Sequence, residues 1–206
     1  MFLEKSILNK LRISAITLLF FSCGAPKQPL PVLGEKQINE KGEEVYHTVS
    51  NFNFTNQNDE IITQLKFENK VYIADFFFTT CQTICPEMTK QLTRVQRELK
   101  GKDYRILSHT VNPNYDSEKV LLDYSIKMNA DLYNWDFVTG DAQKIYKQAA
   151  SYQVVALKDT LAPIPFVHSQ YLVLIDKKSR VRGLYDGTDT EDVNKLIKDT
   201  KWLIRH

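Results

Sequence analysis

The chain has 206 residues, 43% of them hydrophobic and 25% charged, which is enough for one well-packed domain with a tail and too few for two full domains. Its 27 basic and 25 acidic residues leave a net charge of +2 scattered along the sequence, with no basic stripe to argue for nucleic acid as a partner. Among only seven glycines there is no G-x-G-x-x-G and no P-loop pattern to cradle a nucleotide.

The first 22 residues read as an address. Lys5, Lys10 and Arg12 precede a short apolar core, Ile13 to Phe21. That core is far below the ~20 residues needed to span a bilayer. Basic start and short apolar core together form the layout of a secretory signal peptide. Phe20-Phe21-Ser22-Cys23-Gly24 then resembles a bacterial lipobox, with Phe20 where Leu is usual and Cys23 as the lipidated first residue of the mature chain. Residues 23–42 follow as a tether that begins Gly24-Ala25-Pro26-Lys27-Gln28-Pro29-Leu30-Pro31. Lipid on Cys23 would hold the protein at a membrane of the bacterial cell envelope, facing the periplasm or exterior, without a spanning helix.

Residues 43–206 form the expected domain. Asn51 to Phe54 alternates with period two and Asn56 to Asp59 reads as a turn. Val71 to Phe78 is a near-continuous apolar run, as a strand covered on both faces requires. Met88, Leu92, Val95 and Leu99 trace one helical face, with Pro86 in the first turn, where its missing N–H is not needed. A strand from Tyr104 to Val111 and a helix capped by Ser117 come next, then a strand from Trp135 to Val138 and a helix opened by Asp141. Tyr171 to Asp176 turns through Lys177-Lys178-Ser179 into Arg180 to Tyr185, and Val193, Leu196 and Ile197 mark a closing helix. The order β-α-β-α-β-α-β-β-α predicts an α/β sandwich around a mixed sheet.

Beyond Cys23, the only cysteines are Cys81 and Cys85, in Cys81-Gln82-Thr83-Ile84-Cys85-Pro86 where a buried strand hands over to a helix. A helix N-terminus favours thiolate over thiol. Residues four apart in a near-helical turn share a face, so both sulfurs can meet at one spot, as a disulfide or around a soft metal ion. A structural zinc site asks for four protein ligands, commonly two cysteine pairs; two thiolates with one further donor suit Cu(I) better. Of His47, His109, His168 and His206, only His168 is well placed to be that donor. It follows Pro163-Ile164-Pro165-Phe166-Val167 and precedes a strand. His109 alternates within a strand and reads as packing, and Met88 belongs to a helix core face. A plain structural disulfide remains the alternative for the pair.

The run Phe76-Phe77-Phe78-Thr79-Thr80-Cys81-Gln82-Thr83-Ile84-Cys85-Pro86 resembles the strand and C-x3-C-P loop of the SCO/SenC proteins. Val167-His168-Ser169-Gln170 through Asp176 resembles their histidine segment, and the likeness covers about residues 48–200. Gln82 and Thr83 stand where many members have Pro-Asp, and Asn112 where an Asp before Pro is usual. The resemblance implies a thioredoxin-like fold and Cu(I) or Cu(II) held by Cys81, Cys85 and His168. It also implies delivery of copper to, or thiol reduction at, the dinuclear copper site of a cytochrome c oxidase subunit; another copper acceptor would look the same in sequence. The alternative is a thiol–disulfide oxidoreductase using Cys81 and Cys85. A peroxidase of the same superfamily would need one activated cysteine with polar partners, an arrangement this motif does not call for.

Overall fold

The computed structural model describes residues 30–158 and 166–206. A mixed sheet of seven strands forms its centre, as the strand–helix alternation predicts. In chain order the first strands are β1 (Lys36–Ile38), β2 (Glu44–Tyr46), β3 (Asn53–Asn56) and β4 (Ile61–Thr63). They are followed by β5 (Val71–Phe77), α1 (Ile84–Glu98), β6 (Tyr104–Thr110), α2 (Glu118–Lys127), β7 (Trp135–Thr139) and α3 (Ala142–Ser151). The chain closes with β8 (Ala156–Lys158), β9 (Phe166–His168), β10 (Tyr171–Ile175), β11 (Val181–Asp186) and α4 (Thr190–Arg205). The sheet order is β11-β10-β5-β6-β7-β3-β4. β5, β6 and β7 run parallel, and the flanking strands pair antiparallel.

All seven residues of β5 are buried, because helices cover both sheet faces. Side chains alternate between those faces. Phe77 meets Tyr124 of α2 on one side, while Phe76 meets His109 and Tyr152, just past α3, on the other. The helix-face reading of Met88, Leu92, Val95 and Leu99 holds, since each is fully buried. Ser117, Asp141 and Asp189 cap α2, α3 and α4 through side-chain oxygens. Thr83, at the start of α1, makes no such bond.

Two hairpins lie outside the sequence reading. β1 pairs with β2, and residues 30–33 run along β11: Leu33 N–H bonds Val181 O at 2.8 Å, and Arg182 donates to the carbonyls of Leu30 and Pro31. β8 pairs with β9, setting Ala156 opposite His168. Three-residue strands carry too few alternations to register as a period.

Candidate metal centre

Cys81 and Cys85 lie just beyond the C-terminal end of β5. The chain leaves the strand at Phe78 and turns, with Cys81 N–H bonding Phe78 O at 3.2 Å. Asp116, fully buried in the loop after β6, accepts from Thr79 N–H and from the hydroxyls of Thr79 and Thr110. That carboxylate therefore ties the start of the cysteine loop to the neighbouring strand. Cys85 is in the first turn of α1 and is buried; Cys81 precedes the helix and is half-buried. The two sulfurs thus meet across a loop–helix junction rather than along one helical face. Both cysteines are free thiols.

His168 ends β9. Its Nδ1 faces Ser169 O at 3.1 Å, and a carbonyl only accepts, so Nδ1 carries the proton. Nε2 is left with its lone pair aimed at Cys85 Sγ, 3.2 Å away. Phe78 supplies the wall behind: its ring lies 5.7 Å from the His168 ring, edge on, and 5.4 Å from that of Phe166. The three donor atoms of Cys81, Cys85 and His168 all lie within 4.8 Å of one another. It is the one such group of His, Cys, Asp or Glu among the described residues.

The two thiols differ in acidity. Burial works to raise the Cys81 pKa, but hydrogen bonds from the Cys85 and Thr83 side chains and backbone outweigh it, and the net displacement is downward. Burial pushes the Cys85 thiol strongly upward, and neighbouring Cys81 adds to the effect. Burial also lowers the His168 pKa against the opposing bond to Ser169, keeping the ring neutral as a ligand or proton acceptor must be. The arrangement offers two soft sulfurs and one imidazole to a metal, or one reactive thiolate beside a buried thiol.

The remaining histidines stay apart from this centre. His109 is fully buried and stacks on Phe76 at 4.7 Å, so its strand alternation does mean packing. His47 bonds Ser151 O at 2.8 Å, and His206 stacks on Trp202. Met88 is core. Cys23 and the Pro163-Ile164-Pro165 approach to His168 lie outside the described residues. Two groups near the site escaped the sequence reading. One is Asp116, whose signal was no more than an Asp before the Ser117 cap. The other is Asp75, buried within β5 and bonded to Ser108, which itself accepts from Trp135. A charged residue inside an otherwise apolar run was the available clue to Asp75.

Residues 40–205 match the model of the SCO1/SenC family. The chain is 31% identical over 172 residues to the SCO1 protein homolog of Bacillus subtilis, covering 82% of this chain and 87% of that one. Among solved structures it is similar to a SCO1/SenC family lipoprotein from Bacillus anthracis, at 30% identity and TM-score 0.70, covering 76% of this chain and 94% of that one. It also shares its fold with Bradyrhizobium japonicum ScoI with copper bound, at 21% identity and TM-score 0.64, covering 76% and 99% of the two chains.

Proposed function

The chain belongs to the SCO1/SenC family, and on that premise we propose that it is a copper metallochaperone that takes up copper at Cys81, Cys85 and His168. The observation carrying this reading is the convergence of two sulfurs and one imidazole nitrogen within 4.8 Å. The donor set fits the cargo: soft thiolates favour Cu(I), and the imidazole adds the nitrogen that Cu(II) prefers. Neutral His168, oriented by Ser169 O, needs no proton loss to bind. The recipient we propose is the dinuclear copper site of cytochrome c oxidase, supplied with copper or with reducing thiols. The protein acts outside the cytoplasm: residues 1–22 direct export, and lipid on Cys23 anchors it to a membrane of the cell envelope.

A second reading rests on the opposite pKa displacements of the two thiols. Cys81, more exposed and more acidic, attacks a partner disulfide, forming a mixed disulfide and releasing one partner thiolate. Cys85, once its proton passes to a base, attacks the Cys81 sulfur, so that the Cys81–Cys85 disulfide forms and the second partner thiol leaves. Copper titration of the full chain, run beside a disulfide-reductase assay, separates the readings. Stoichiometric Cu(I) uptake by the reduced protein and none by the oxidised protein is the expected result. Equal uptake in both redox states would rule out a two-thiolate site. Cys23→Ser is expected to release the protein from membranes or stall its processing; unchanged fractionation and processing would refute the anchor.

A further inference from the structure

The chain enters the domain at the end of the sheet remote from the metal centre. Residues 30–33 bond to Val181 and Arg182 of β11, and Val181 lies opposite Ile175 of β10. Ile175 in turn lies opposite Tyr72, beside the N-terminal end of β5, where Val71 is level with Tyr104 of β6. The cysteines follow the other end of β5, a seven-residue strand spanning ~20 Å at ~3.3 Å per residue. Six residues separate Cys23 from Leu30, so a fully extended chain holds them no more than about 25 Å apart. A lipid at Cys23 would therefore keep the remote end close to the bilayer.

That end is also basic. Lys100 and Lys102 follow α1, and Lys177 and Lys178 form the β10–β11 turn; all four are exposed. Lys177 donates to the carbonyl of Ile204 at the end of α4. Of the nearby carboxylates, Asp176 is engaged by Arg180 and Arg182 and Asp103 by Lys70, while Glu68 and Glu98 are exposed. A cavity of about 190 Å³ opens here, lined by Lys177, Lys178, Arg180, Trp202 and His206 among others. The β1–β2 hairpin packs beside this turn, its Tyr46 ring 5.7 Å from Arg180, and within it Lys36 pairs with Glu44. At the metal-centre end the helix starts carry Glu118, Asp141, Asp189, Glu191 and Asp192. Those helix starts also carry Lys119, Lys144 and Lys195, so an anionic surface would favour the first end by its four exposed lysines.

Building on the lipid-anchor reading of Cys23, we propose that the face formed by Lys100, Lys102, Lys177 and Lys178 lies against a membrane rich in anionic phosphate headgroups. The metal centre then points away from the bilayer, toward a recipient's soluble domain. Basic side chains near an anionic leaflet strengthen binding roughly fivefold each. Trp202, half-buried and stacked on His206 at 4.5 Å, supplies the amphipathic ring suited to the interface.

The test uses the full chain, with and without Cys23→Ser, on brominated phosphatidylcholine vesicles prepared with and without phosphatidylglycerol. The chain has two tryptophans and Trp135 is fully buried, so quenching reports Trp202. Salt-sensitive quenching that requires phosphatidylglycerol is expected, with Cys81 still labelled by a bulky maleimide at its solution rate. Replacing the four lysines by Gln should lower vesicle partitioning of the Cys23→Ser protein roughly a hundredfold or more. Lys119→Gln/Lys195→Gln, at the opposite end, should change nothing. Equal quenching without phosphatidylglycerol, or a shielded Cys81, would overturn the proposal. So would four lysines that matter only for binding soluble polyglutamate, since the face would then fit an acidic protein. Failure of the anchor alone shows separately, as unchanged membrane fractionation of Cys23→Ser beside an intact phosphatidylglycerol preference.

Discussion

The two halves of the metal centre rest on different supports. The cysteine half extends from β5, the buried strand between β10 and β6, and is pinned by Asp116 and by the packed start of α1. The histidine half arrives on β9, which among the described residues pairs only with three-residue β8 and lies outside the seven-stranded sheet. Its other holds are Ser169 N–H to Val155 O at 2.8 Å and the rings of Phe78 and Phe166. Local stability follows buried contacts and backbone pairing, so the cysteine half is the more rigid and the histidine arm opens at lower cost. Such a division would suit the proposed carrier role: two fixed thiols would hold the metal, and the third donor could be exchanged for one from a recipient.

The sharpest way to break this comparison is at the thiols. Cys81→Ala or Cys85→Ala leaves one thiolate, and copper affinity in both oxidation states should fall well beyond the roughly 100-fold typical of losing an outer-shell partner. Isothermal or competition titration checks this; binding within tenfold of the parent would mean the sulfurs are not the main ligands.

The support beneath the thiols is tested next, through pH. Burial raises the Asp75 pKa to about 7, against the opposing bond from Ser108. Between its unfolded value near 4 and about 7 the folded state holds a proton that the unfolded state has lost. Stability should therefore fall as pH rises through that window, by at most about 1.4 kcal/mol per unit from this group. Asp75→Asn should remove that slope and raise stability at pH 8 by roughly 2 kcal/mol, seen in denaturant melts. An unchanged slope would mean Asp75 is not the titrating group.

The histidine arm should respond more selectively. His168→Ala is expected to keep the fold and weaken Cu(I) binding only about tenfold, while abolishing the cysteine-to-Cu(II) charge-transfer band. His47→Ala serves as control, because His109→Ala would open a cavity in the core. An intact band in His168→Ala would move the nitrogen ligand elsewhere. The smallest effect is reserved for the arm's packing. Phe166→Ala removes the contact with Phe78 and should lower Cu(II) affinity a few-fold, with Cu(I) affinity held by the thiols. Equal losses for both ions would show that the arm and the cysteine loop move as one body.

Legibility followed element length and burial. β5, β6, β10 and the four helices each carry a period or an apolar run long enough to read, and the caps Ser117 and Asp141 announced their helices directly. β1, β2, β4, β8 and β9 span only three residues each, and their pairing partners lie beyond any local pattern. The donor residues were legible by chemistry, since soft and imidazole side chains are few. Asp116 and Asp75 were not, because a carboxylate's burial depends on which strand lies beside it.

The sequence by itself determined the α/β alternation, the strand–helix junction that carries Cys81 and Cys85, and the short list of histidines from which a ligand had to come. Tertiary structure decided that His168 meets Cys85 across a sequence separation of 83, that Cys81 is the more acidic thiol, and that the chain enters at the basic end, far from the metal centre. The division has a physical cause. Periodicity and capping are properties of adjacent residues, whereas donor distance, desolvation and the side on which charges gather depend on the packing of distant segments.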